Sequence, residues 1–256
     1  MEWKFTDHPQ AVVVEICSNP VNKQNPAYFE DVNAAFNRLD RDFPGKPIIL
    51  TAKGKIFSAG IDFDYCLPMF AKGGISEVAG WFGAYRQTMM RIFTCPRMTI
   101  AALNGHAFAG GLILALSCDF RVGTTGESKF AVNEVPIGIP MPSVYTELLR
   151  FRVGNRLTSE MVLLGKTYNV EQSQKNGILH DAVSSDKLIE TALAIAGTIH
   201  PDCWPAYSES KKALLYPVLQ DMTVNGEALD RDTYSVMVSP SSVRMHKRVY
   251  EGLKKK

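Results

Sequence analysis

Residues 104–119 read NGHAFAGGLILALSCD, and this segment constrains the fold more than any other part of the chain. The pair Asn104-Gly105 predicts a turn. The pair Gly110-Gly111 then leads straight into residues 112–116, which are apolar on every face. Because a helix that is apolar all round lies in a core, we expect a central buried helix here. Glycines at its start leave N–H groups and the positive end of the helix dipole for an oxyanion. Close packing of the helix against a strand explains these glycines equally well.

Short apolar runs on either side of this segment are typical of buried strands. They cover residues 12–16, 48–52, 98–103 and 119–122. Between them, apolar side chains recur at helical spacing. One stripe comprises Tyr28, Phe29, Val32, Ala35, Phe36 and Leu39, and another comprises Ile75, Val78, Phe82, Tyr85, Met89 and Ile92. The order strand–helix–strand–helix predicts an α/β fold with parallel strand pairing.

The second half of the chain is predicted to be helical from about residue 142. Its clearest stripe lies within residues 188–199. Residues 202–256 also have a helical pattern, which Pro205, Pro217 and Pro240 interrupt. We therefore predict a core domain over residues 1–200 and a C-terminal helical region over residues 201–256. The C-terminal region is expected to pack on the core or on a neighbouring subunit.

Composition and charge argue against several classes of protein. The chain has 256 residues, 46% of them hydrophobic, and a net charge of +2, which is ordinary for a globular protein and argues against nucleic-acid binding. No run reaches the ~18 apolar residues of a membrane span, and residues 1–4 lack the apolar stretch of a secretory signal. The five cysteines include no C-x-x-C pair and no zinc spacing. They predict reduced thiols, a cytoplasmic protein and no metal site.

The sequence lacks the signatures of several common enzyme chemistries. It contains no G-x-G-x-x-G, no phosphate-binding P-loop, no G-x-S-x-G and no H-E-x-x-H. These absences argue against dinucleotide redox chemistry, nucleotide hydrolysis, serine hydrolysis and zinc proteolysis. The five histidines are scattered, and each is interpreted as a surface or structural residue.

Two further segments could carry chemistry. Residues 57–63 read FSAGIDF and follow the predicted strand 48–52. Their small residues let a ligand approach free N–H groups, although a tight turn with Asp62 as a local cap explains them better on pattern alone. Residues 130–140 read FAVNEVPIGIP, in which Glu134 is a lone carboxylate among apolar residues. Burial would raise its pKa and make it a base near neutral pH, unless its side chain reaches solvent or pairs with a lysine.

Taken together and in this order, the three segments resemble the crotonase superfamily, which has the enoyl-CoA hydratase/isomerase fold. Residues 57–62 resemble its F-x-A-G-x-D loop, residues 104–119 its N-G-x-A-x-G-G-G-x-x-L-A-x-x-C-D segment, and residues 130–140 its F-x-x-x-E-x-x-x-G-x-x-P segment. The likeness extends from about residue 10 to residue 200. It implies a spiral of ββα units forming an acyl-CoA-binding core, with a C-terminal helical region that assembles a homotrimer or a dimer of trimers.

The resemblance also implies an acyl-CoA thioester as the ligand, with coenzyme A as part of the substrate, no separate cofactor and no metal. The backbone N–H groups of Ile61 and Gly110 would form the oxyanion hole. The residues that would bind the substrate and its CoA arm are Ser58, Ala59, Gly60, Asp62 and Phe63. Basic residues that could meet the CoA phosphates are Lys23, Lys55, Arg244, Lys247, Arg248 and residues 254–256.

Family hydratases resemble one another in carrying two glutamates, and only one of them is present in this chain. Glu134 matches one, whereas Ile113 occupies the position of the other. Addition of water needs two acid–base groups, but moving a double bond from C3 to C2 needs one carboxylate that shuttles a proton. The pattern therefore resembles the Δ3,Δ2-enoyl-CoA isomerases, in particular the plant and bacterial branch, and implies a role in fatty acid metabolism, as in β-oxidation.

Two alternatives stay open at this point. One is an enoyl-CoA hydratase, or another crotonase reaction, that takes a second acid from elsewhere, with Asp64 and Glu77 as candidates. The other is a non-catalytic acyl-CoA-binding protein. The walls of the acyl pocket are predicted to come from residues 67–74, the helix that begins at Ile75, and residues 140–145.

Overall fold

The computed structural model describes residues 3–72, 74–224 and 226–254. The strands are β1 (Lys4–Asp7), β2 (Val12–Ile16), β3 (Ile48–Ala52), β4 (Ile56–Ser58), β5 (Thr99–Leu103), β6 (His106–Phe108), β7 (Phe120–Thr124), β8 (Lys129–Ala131), β9 (Thr167–Asn169) and β10 (Asp181–Val183). The helices are α1 (Pro26–Asp42), α2 (Phe63–Lys72), α3 (Ile75–Phe93), α4 (Gly110–Ser117), α5 (Ser143–Leu164), α6 (Val170–Lys175), α7 (Leu188–Ala196), α8 (Trp204–Val224), α9 (Gly226–Met237) and α10 (Pro240–Lys254). Short 3₁₀ helices lie at Val135–Ile137, Ser185–Lys187 and Pro201–Cys203.

The strands are divided between two sheets in a way that makes the chain spiral. One sheet has the order β1-β2-β3-β5-β7-β10 and the other the order β4-β6-β8-β9. Strands β3, β5 and β7 therefore lie side by side in one sheet, while the strand that follows each of them lies in the other. All these neighbours are parallel, and helices follow each pair of strands. This arrangement confirms the predicted α/β fold built from a spiral of ββα units.

Helix α1 follows directly from its sequence. The side chain of Asn25 accepts a hydrogen bond from the N–H of Tyr28 at 3.1 Å and caps the helix. Pro26 occupies the first position, where a missing N–H does no harm. The six apolar residues of the predicted stripe are all buried.

Helix α3 also buries the apolar residues of its predicted stripe, except for Ile75. Ile75 is exposed because the first turn of the helix lies outside the core.

Helix α4 is the centre of the core, as predicted. All its residues are buried, and it packs against α3, α5 and the strands of both sheets. Gly111 permits this packing, since a Cβ atom at that position would lie 2.2 Å from the carbonyl oxygen of Ser58. One of the two explanations of the glycine pair therefore holds at Gly111.

The sequence pattern did not predict strands β1, β4, β6, β8, β9 and β10, and the prediction of an entirely helical pattern after residue 142 is wrong at β9 and β10. Both have three residues, too few to display an alternating pattern. They form because β8 pairs with β9 in antiparallel fashion and β7 pairs with β10 in parallel fashion. These strands are thus stabilised by tertiary pairing, which the local sequence does not reveal.

The C-terminal helices pack on the preceding part of the same chain. Lys211 of α8 forms an ion pair with Asp119 at 2.7 Å. Tyr234 of α9 stacks on Phe82 of α3, and His246 of α10 packs on Phe70 of α2. The boundary predicted near residue 200 lies close to the start of α8. A trimerisation role for residues 201–256 stays a prediction. Within the ranges described above, no helix is both long and apolar enough to cross a bilayer.

Candidate active site

A cavity of about 550 Å³ opens where the loop after β4, the start of α4, the segment after β8 and helix α10 meet. Its lining is mostly apolar, with one carboxylate that is buried and one ion pair at the mouth. The lining residues are Lys23, Ala59, Ile61, Phe63, Asp64, Phe108, Ala109, Asn133, Glu134, Ile137, Ile139, Val249 and Tyr250. A concave, apolar cavity with few polar groups is the usual form of a small-molecule site.

The N–H group of Ile61 is available to a ligand in this cavity. Gln24 and Ile61 form a parallel bridge in which Gln24 N–H donates to Gly60 O at 2.8 Å and Asp62 N–H donates to Gln24 O at 2.9 Å. The residue at the centre of such a bridge directs its own N–H away from the partner segment. Across the described part of the chain, no acceptor is found for the Ile61 N–H.

The N–H group of Gly110 is available for a different reason. Gly110 is the first residue of α4, so its N–H has no partner within the helix. Ala109, the preceding residue, has φ 50° and ψ −125°, a conformation that favours glycine and turns the chain into the helix. The two loops touch, because a Cβ atom on Gly60 would lie 3.0 Å from the nitrogen of Gly110. Two N–H groups without an acceptor among the described residues therefore lie on neighbouring loops, and Ile61 and Gly110 both line the smaller cavity described below.

Glu134 supplies the carboxylate of the site. It is only 9% exposed, and its Oε2 atom has no hydrogen-bond partner among the residues that the structure describes. Burial raises the pKa of Glu134 to about 7. The residue precedes the 3₁₀ helix Val135–Ile137, and its carbonyl accepts the N–H groups of Ile137 and Ile139, which hold the backbone. A carboxylate in this state is a base near neutral pH.

A smaller cavity of about 20 Å³ lies behind the first and shares Ile61 and Glu134 with it, whereas Gly110 lines only the smaller cavity. This volume is close to that of one water-sized group. The remaining walls are Phe82, Tyr85, Ile113, Ile139, Met141, Pro142 and Tyr145. Ile113 is almost fully buried there, so an apolar side chain faces the carboxylate where a second glutamate was considered. Residues 140–145 and helix α3 contribute to these walls, whereas residues 67–72 and 74, also predicted as walls of the acyl pocket, line neither cavity.

The residues predicted to bind the substrate divide into two groups. Ala59 and Phe63 line the large cavity. Ser58 is fully buried, and its hydroxyl donates to Asn22 O at 2.8 Å. Gly60 has φ 85°, and Asp62 pairs with Lys23 and accepts from Asn25. Ser58, Gly60 and Asp62 therefore shape the loop that presents Ile61.

Basic groups lie near the mouth of the cavity. Lys23 forms an ion pair with Asp64 of α2 at 2.7 Å. The hydroxyl of Tyr250 on α10 donates to the same carboxylate, so Asp64 joins α2 to the C-terminal helix at the mouth of the cavity. Arg244, Lys247 and Arg248 are exposed on the same helix, and Lys55 is exposed after β3. Residues 255 and 256, also considered for the CoA phosphates, lie outside the described residues.

Of the two candidates for a second acid, Glu77 lines neither cavity, whereas Asp64 lines the large cavity together with Glu134. Glu77 is exposed in the first turn of α3, and Asp64 accepts a hydrogen bond from Lys23 at the mouth of the cavity.

The hydroxyl groups of Tyr85 and Tyr145 in the small cavity were not predicted from the sequence to be part of the site. Burial raises the pKa of both well above the ordinary value, so they stay protonated and cannot act as bases near neutral pH. Over the described ranges, no group of three or more metal-ligating side chains occurs.

Comparison with known proteins identifies the family. The enoyl-CoA hydratase/isomerase family model matches residues 8–255. Enoyl-CoA delta isomerase 3 of Arabidopsis thaliana is 30% identical over 192 residues, which is 72% of this chain and 80% of that protein. A putative enoyl-CoA hydratase of Thermus thermophilus is 29% identical over 206 residues, which is 79% of this chain and 80% of that protein.

A solved structure extends the likeness over the whole fold. Human mitochondrial delta3-delta2-enoyl-CoA isomerase superposes with a TM-score of 0.88 at 22% identity, covering 100% of this chain and 99% of that chain. The ββα spiral, the sequence segments and these relatives confirm the predicted membership of the crotonase superfamily. Within that superfamily, the chain belongs to the enoyl-CoA hydratase/isomerase family.

Proposed function

We propose that this protein is an isomerase that moves a C3=C4 double bond to C2=C3 in enoyl-CoA thioesters. The observation that carries the proposal is a single buried carboxylate, Glu134, with an unpartnered Oε2 among the described residues and an apolar Ile113 facing the same small cavity. The likeness to an enoyl-CoA delta isomerase of Arabidopsis thaliana supports this choice within the family.

In the proposed mechanism, the N–H groups of Ile61 and Gly110 donate to the thioester oxygen. Glu134 removes a proton from C2, and the electron pair forms a dienolate whose negative charge rests on that oxygen. The protonated carboxyl of Glu134 then donates the same proton to C4, which restores the ionised base. Amide donors aimed at a developing oxyanion contribute about 10²–10³ in rate each, and a positioned general base contributes about 10²–10⁴.

The remaining lining residues fit a thioester with a long polar arm. Ala59 and Phe63 would contact the arm, while Ser58, Gly60 and Asp62 would hold the loop against it. Lys23 and the basic residues of α10 are the candidates for the CoA phosphates. Coenzyme A enters as part of the substrate, and the mechanism uses no metal and no further cofactor.

The experiment that tests the proposal compares Glu134→Gln with Glu127→Gln, an exposed glutamate near β8. Loss of the base should lower kcat for 3-enoyl-CoA isomerisation by at least about 10² while acyl-CoA binding is retained. Turnover is followed by chromatography of the 2-enoyl-CoA product, and binding by calorimetry. Turnover by Glu134→Gln at the rate of Glu127→Gln would show that Glu134 is not the base.

Hydration of the double bond is the alternative reaction within the same family, and the likeness to a putative enoyl-CoA hydratase supports this alternative. It needs a second acid–base group beside Glu134. Incubation of 2-enoyl-CoA with the protein in ¹⁸O-labelled water separates the two reactions. An isomerase leaves C3 unlabelled, whereas rapid incorporation of label at C3 identifies a hydratase.

A non-catalytic acyl-CoA-binding protein is the other alternative. It predicts binding without turnover for every thioester in a panel of 2-enoyl-CoA and 3-enoyl-CoA compounds of varied chain length. We further propose a homotrimer or a dimer of trimers that uses residues 201–256, and a cytoplasmic location. Both follow from the family resemblance and the cysteine pattern.

A further inference from the structure

Gln24 lies between the two amide groups assigned to the oxyanion hole, although it does not line the large cavity. It is fully buried in the segment that joins β2 to α1. No sequence pattern singled it out. Its backbone and its side chain contact different halves of the site.

The backbone of Gln24 holds the loop that carries Ile61. Its N–H donates to Gly60 O at 2.8 Å, and its carbonyl accepts Asp62 N–H at 2.9 Å. The peptide groups on both sides of Ile61 are therefore tied to one residue. Rotation of the Ile61 N–H away from the cavity would break one of these bonds.

The side chain of Gln24 holds the other donor. Its Nε2 atom donates to the carbonyl of Gly110 at 3.0 Å, across 86 residues of chain. On the other side of the same turn, Ala109 N–H donates to Ala131 O at 2.8 Å. The peptide group that carries the Gly110 N–H is thus held between two anchored neighbours. The fit is tight, because a Cβ atom on Gly110 would lie 2.2 Å from Gln24 Oε1.

Stability alone does not explain a glutamine at this position. Its Oε1 atom is buried and has no hydrogen-bond partner among the described residues. A buried polar atom without a partner destabilises a fold by about 1–3 kcal/mol. An apolar side chain of the same length would avoid this penalty. The amide is explained by the groups that it contacts, which are the Gly110 carbonyl that accepts from Nε2 and the buried Tyr28 hydroxyl.

We propose that Gln24 is a positioning residue that keeps the Ile61 and Gly110 N–H groups aimed at one point. The inference rests on the proposed function, in which these groups hold the thioester oxygen. Gln24 acts through the donors and does not touch the substrate. Since oxyanion donors act only in a narrow geometry and a displacement of about 1 Å lowers rates by about 10², loss of the side-chain bond affects kcat more than KM.

The test compares Gln24→Met with Thr51→Val. Gln24→Met keeps the length of the side chain and loses its amide. Thr51→Val removes another buried bond from a side chain to a backbone carbonyl, that of Thr51 to Ala102 O at 2.9 Å, away from both donors. We expect Gln24→Met to lower kcat for 3-enoyl-CoA about tenfold to a hundredfold, with KM changed less than about threefold. Thr51→Val should leave both constants close to wild type.

A spectroscopic readout tests the geometry without turnover. Butanoyl-CoA with ¹³C at its carbonyl cannot be isomerised, and the infrared stretch of its C=O moves to lower wavenumber when two N–H groups polarise it. The band should be lowered in the wild-type complex and in Thr51→Val. In Gln24→Met it should return part of the way to its position for the free thioester. A Gln24→Met protein that fails to fold, by circular dichroism, is replaced by Gln24→Leu, which has no donor for the Gly110 carbonyl and should give the same losses.

The outcomes separate the two proposals. A wild-type kcat and an unchanged band in the Gln24 variant would overturn the role of Gln24. A lowered band in the wild-type complex, without isomerisation of any enoyl-CoA, would refute the proposed reaction while the band of the variant still decides the role of Gln24. An unshifted band in the wild-type complex refutes both, because the amides then hold no thioester oxygen.

Discussion

The carboxyl of Glu134 owes its reactivity to its surroundings. The side chain is buried beside Ile113 and Ile139, with no cation among the causes of its pKa shift. Burial disfavours the charged form and raises the pKa to about 7. Near neutral pH the group can therefore accept a proton and return it at comparable rates.

This shift predicts the pH dependence of the reaction. The base must be ionised, so kcat/KM for a 3-enoyl-CoA should rise about tenfold per pH unit below about pH 7 and level off above it. The measurement is a pH–rate profile from pH 5.5 to 9, with substrate affinity determined separately because the terminal phosphate of CoA titrates near pH 6. A profile that is flat over this range, or that falls as pH rises through 7, would contradict the assignment of the base.

Ala109 stores backbone strain at the start of α4. Its φ of 50° and ψ of −125° lie in a region that residues with a Cβ atom rarely occupy, and such conformations cost about 1–3 kcal/mol. The family segment N-G-x-A-x-G-G-G has glycine at this position. The strain persists because Ala131 O and the packing of α4 hold the turn on both sides.

We expect Ala109→Gly to stabilise the protein by about 1 kcal/mol. Relief of strain outweighs the additional ~0.5–1 kcal/mol of chain entropy that glycine loses on folding. In thermal unfolding this corresponds to a rise in Tm of about 2–4 °C. The matched control is Ala107→Gly in the middle of β6, which has no strain to relieve and should lower Tm. A fall in Tm for Ala109→Gly would show that the turn is not strained.

At the scale of elements, one buried carboxylate holds α8 on the core. Asp119 Oδ2 accepts from the Thr99 N–H at 2.9 Å, from the Tyr207 hydroxyl at 3.0 Å and from Lys211 at 2.7 Å. Lys211 also donates to Arg97 O at 3.2 Å. The charges are paired and hydrogen-bonded, which a buried ion pair requires. This cluster joins β5, the start of β7 and α8.

Removal of one partner should therefore destabilise the fold strongly. Lys211→Met removes the nearer of two buried cations from the Asp119 carboxylate and leaves Arg152, whose Nη2 atom lies 3.7 Å from Oδ1. Breaking a buried pair costs up to about 3–5 kcal/mol. Lys212→Met is the control, because Lys212 and its partner Glu209 are both exposed and such pairs contribute about 0–1 kcal/mol. Chemical denaturation measures both variants. Equal midpoints would show that the cluster does not anchor α8.

At the scale of the whole molecule, the C-terminal region presents an apolar surface. Leu214, Tyr216 and Val224 of α8 are exposed by 62%, 62% and 76% of their surface. Leu163 and Leu164 at the end of α5 are exposed as well. Large apolar side chains with this much exposure can mark contacts between protein chains. These side chains are therefore the ones we expect to lie between subunits.

The expected assembly is a trimer or a dimer of trimers. Sedimentation equilibrium should give a mass about three or six times that of one chain. Val224→Asp should shift the protein toward smaller species, because a charge replaces an apolar contact in the interface. Thr125→Asp adds the same charge to an exposed position outside α5 and α8 without removing this apolar surface, and it should assemble like the wild type. A monomeric wild-type protein would contradict the predicted assembly.

Much of the fold was readable from the sequence because its elements are long and regular. The stripe of α1, the apolar run of α4 and the four predicted strands depend on local periodicity, which survives without tertiary context. Strands β4, β6, β8, β9 and β10 were missed because a strand of three residues is too short to show an alternating pattern. The outward position of Ile75 was missed because periodicity does not tell where a helix leaves the core.

For the candidate site, the sequence by itself determined the residue types: one carboxylate at Glu134, an isoleucine at 113, and small residues at 58–60 and 109–111. These are properties of single positions. Only the tertiary structure decided which groups meet. Gln24 and Gly110 are 86 residues apart along the chain and are joined by one hydrogen bond, and the pKa of Glu134 depends on neighbours from several elements. The direction of the N–H groups and the burial of the Glu134 carboxylate arise from packing between distant segments of the chain. A local sequence pattern does not predict such packing.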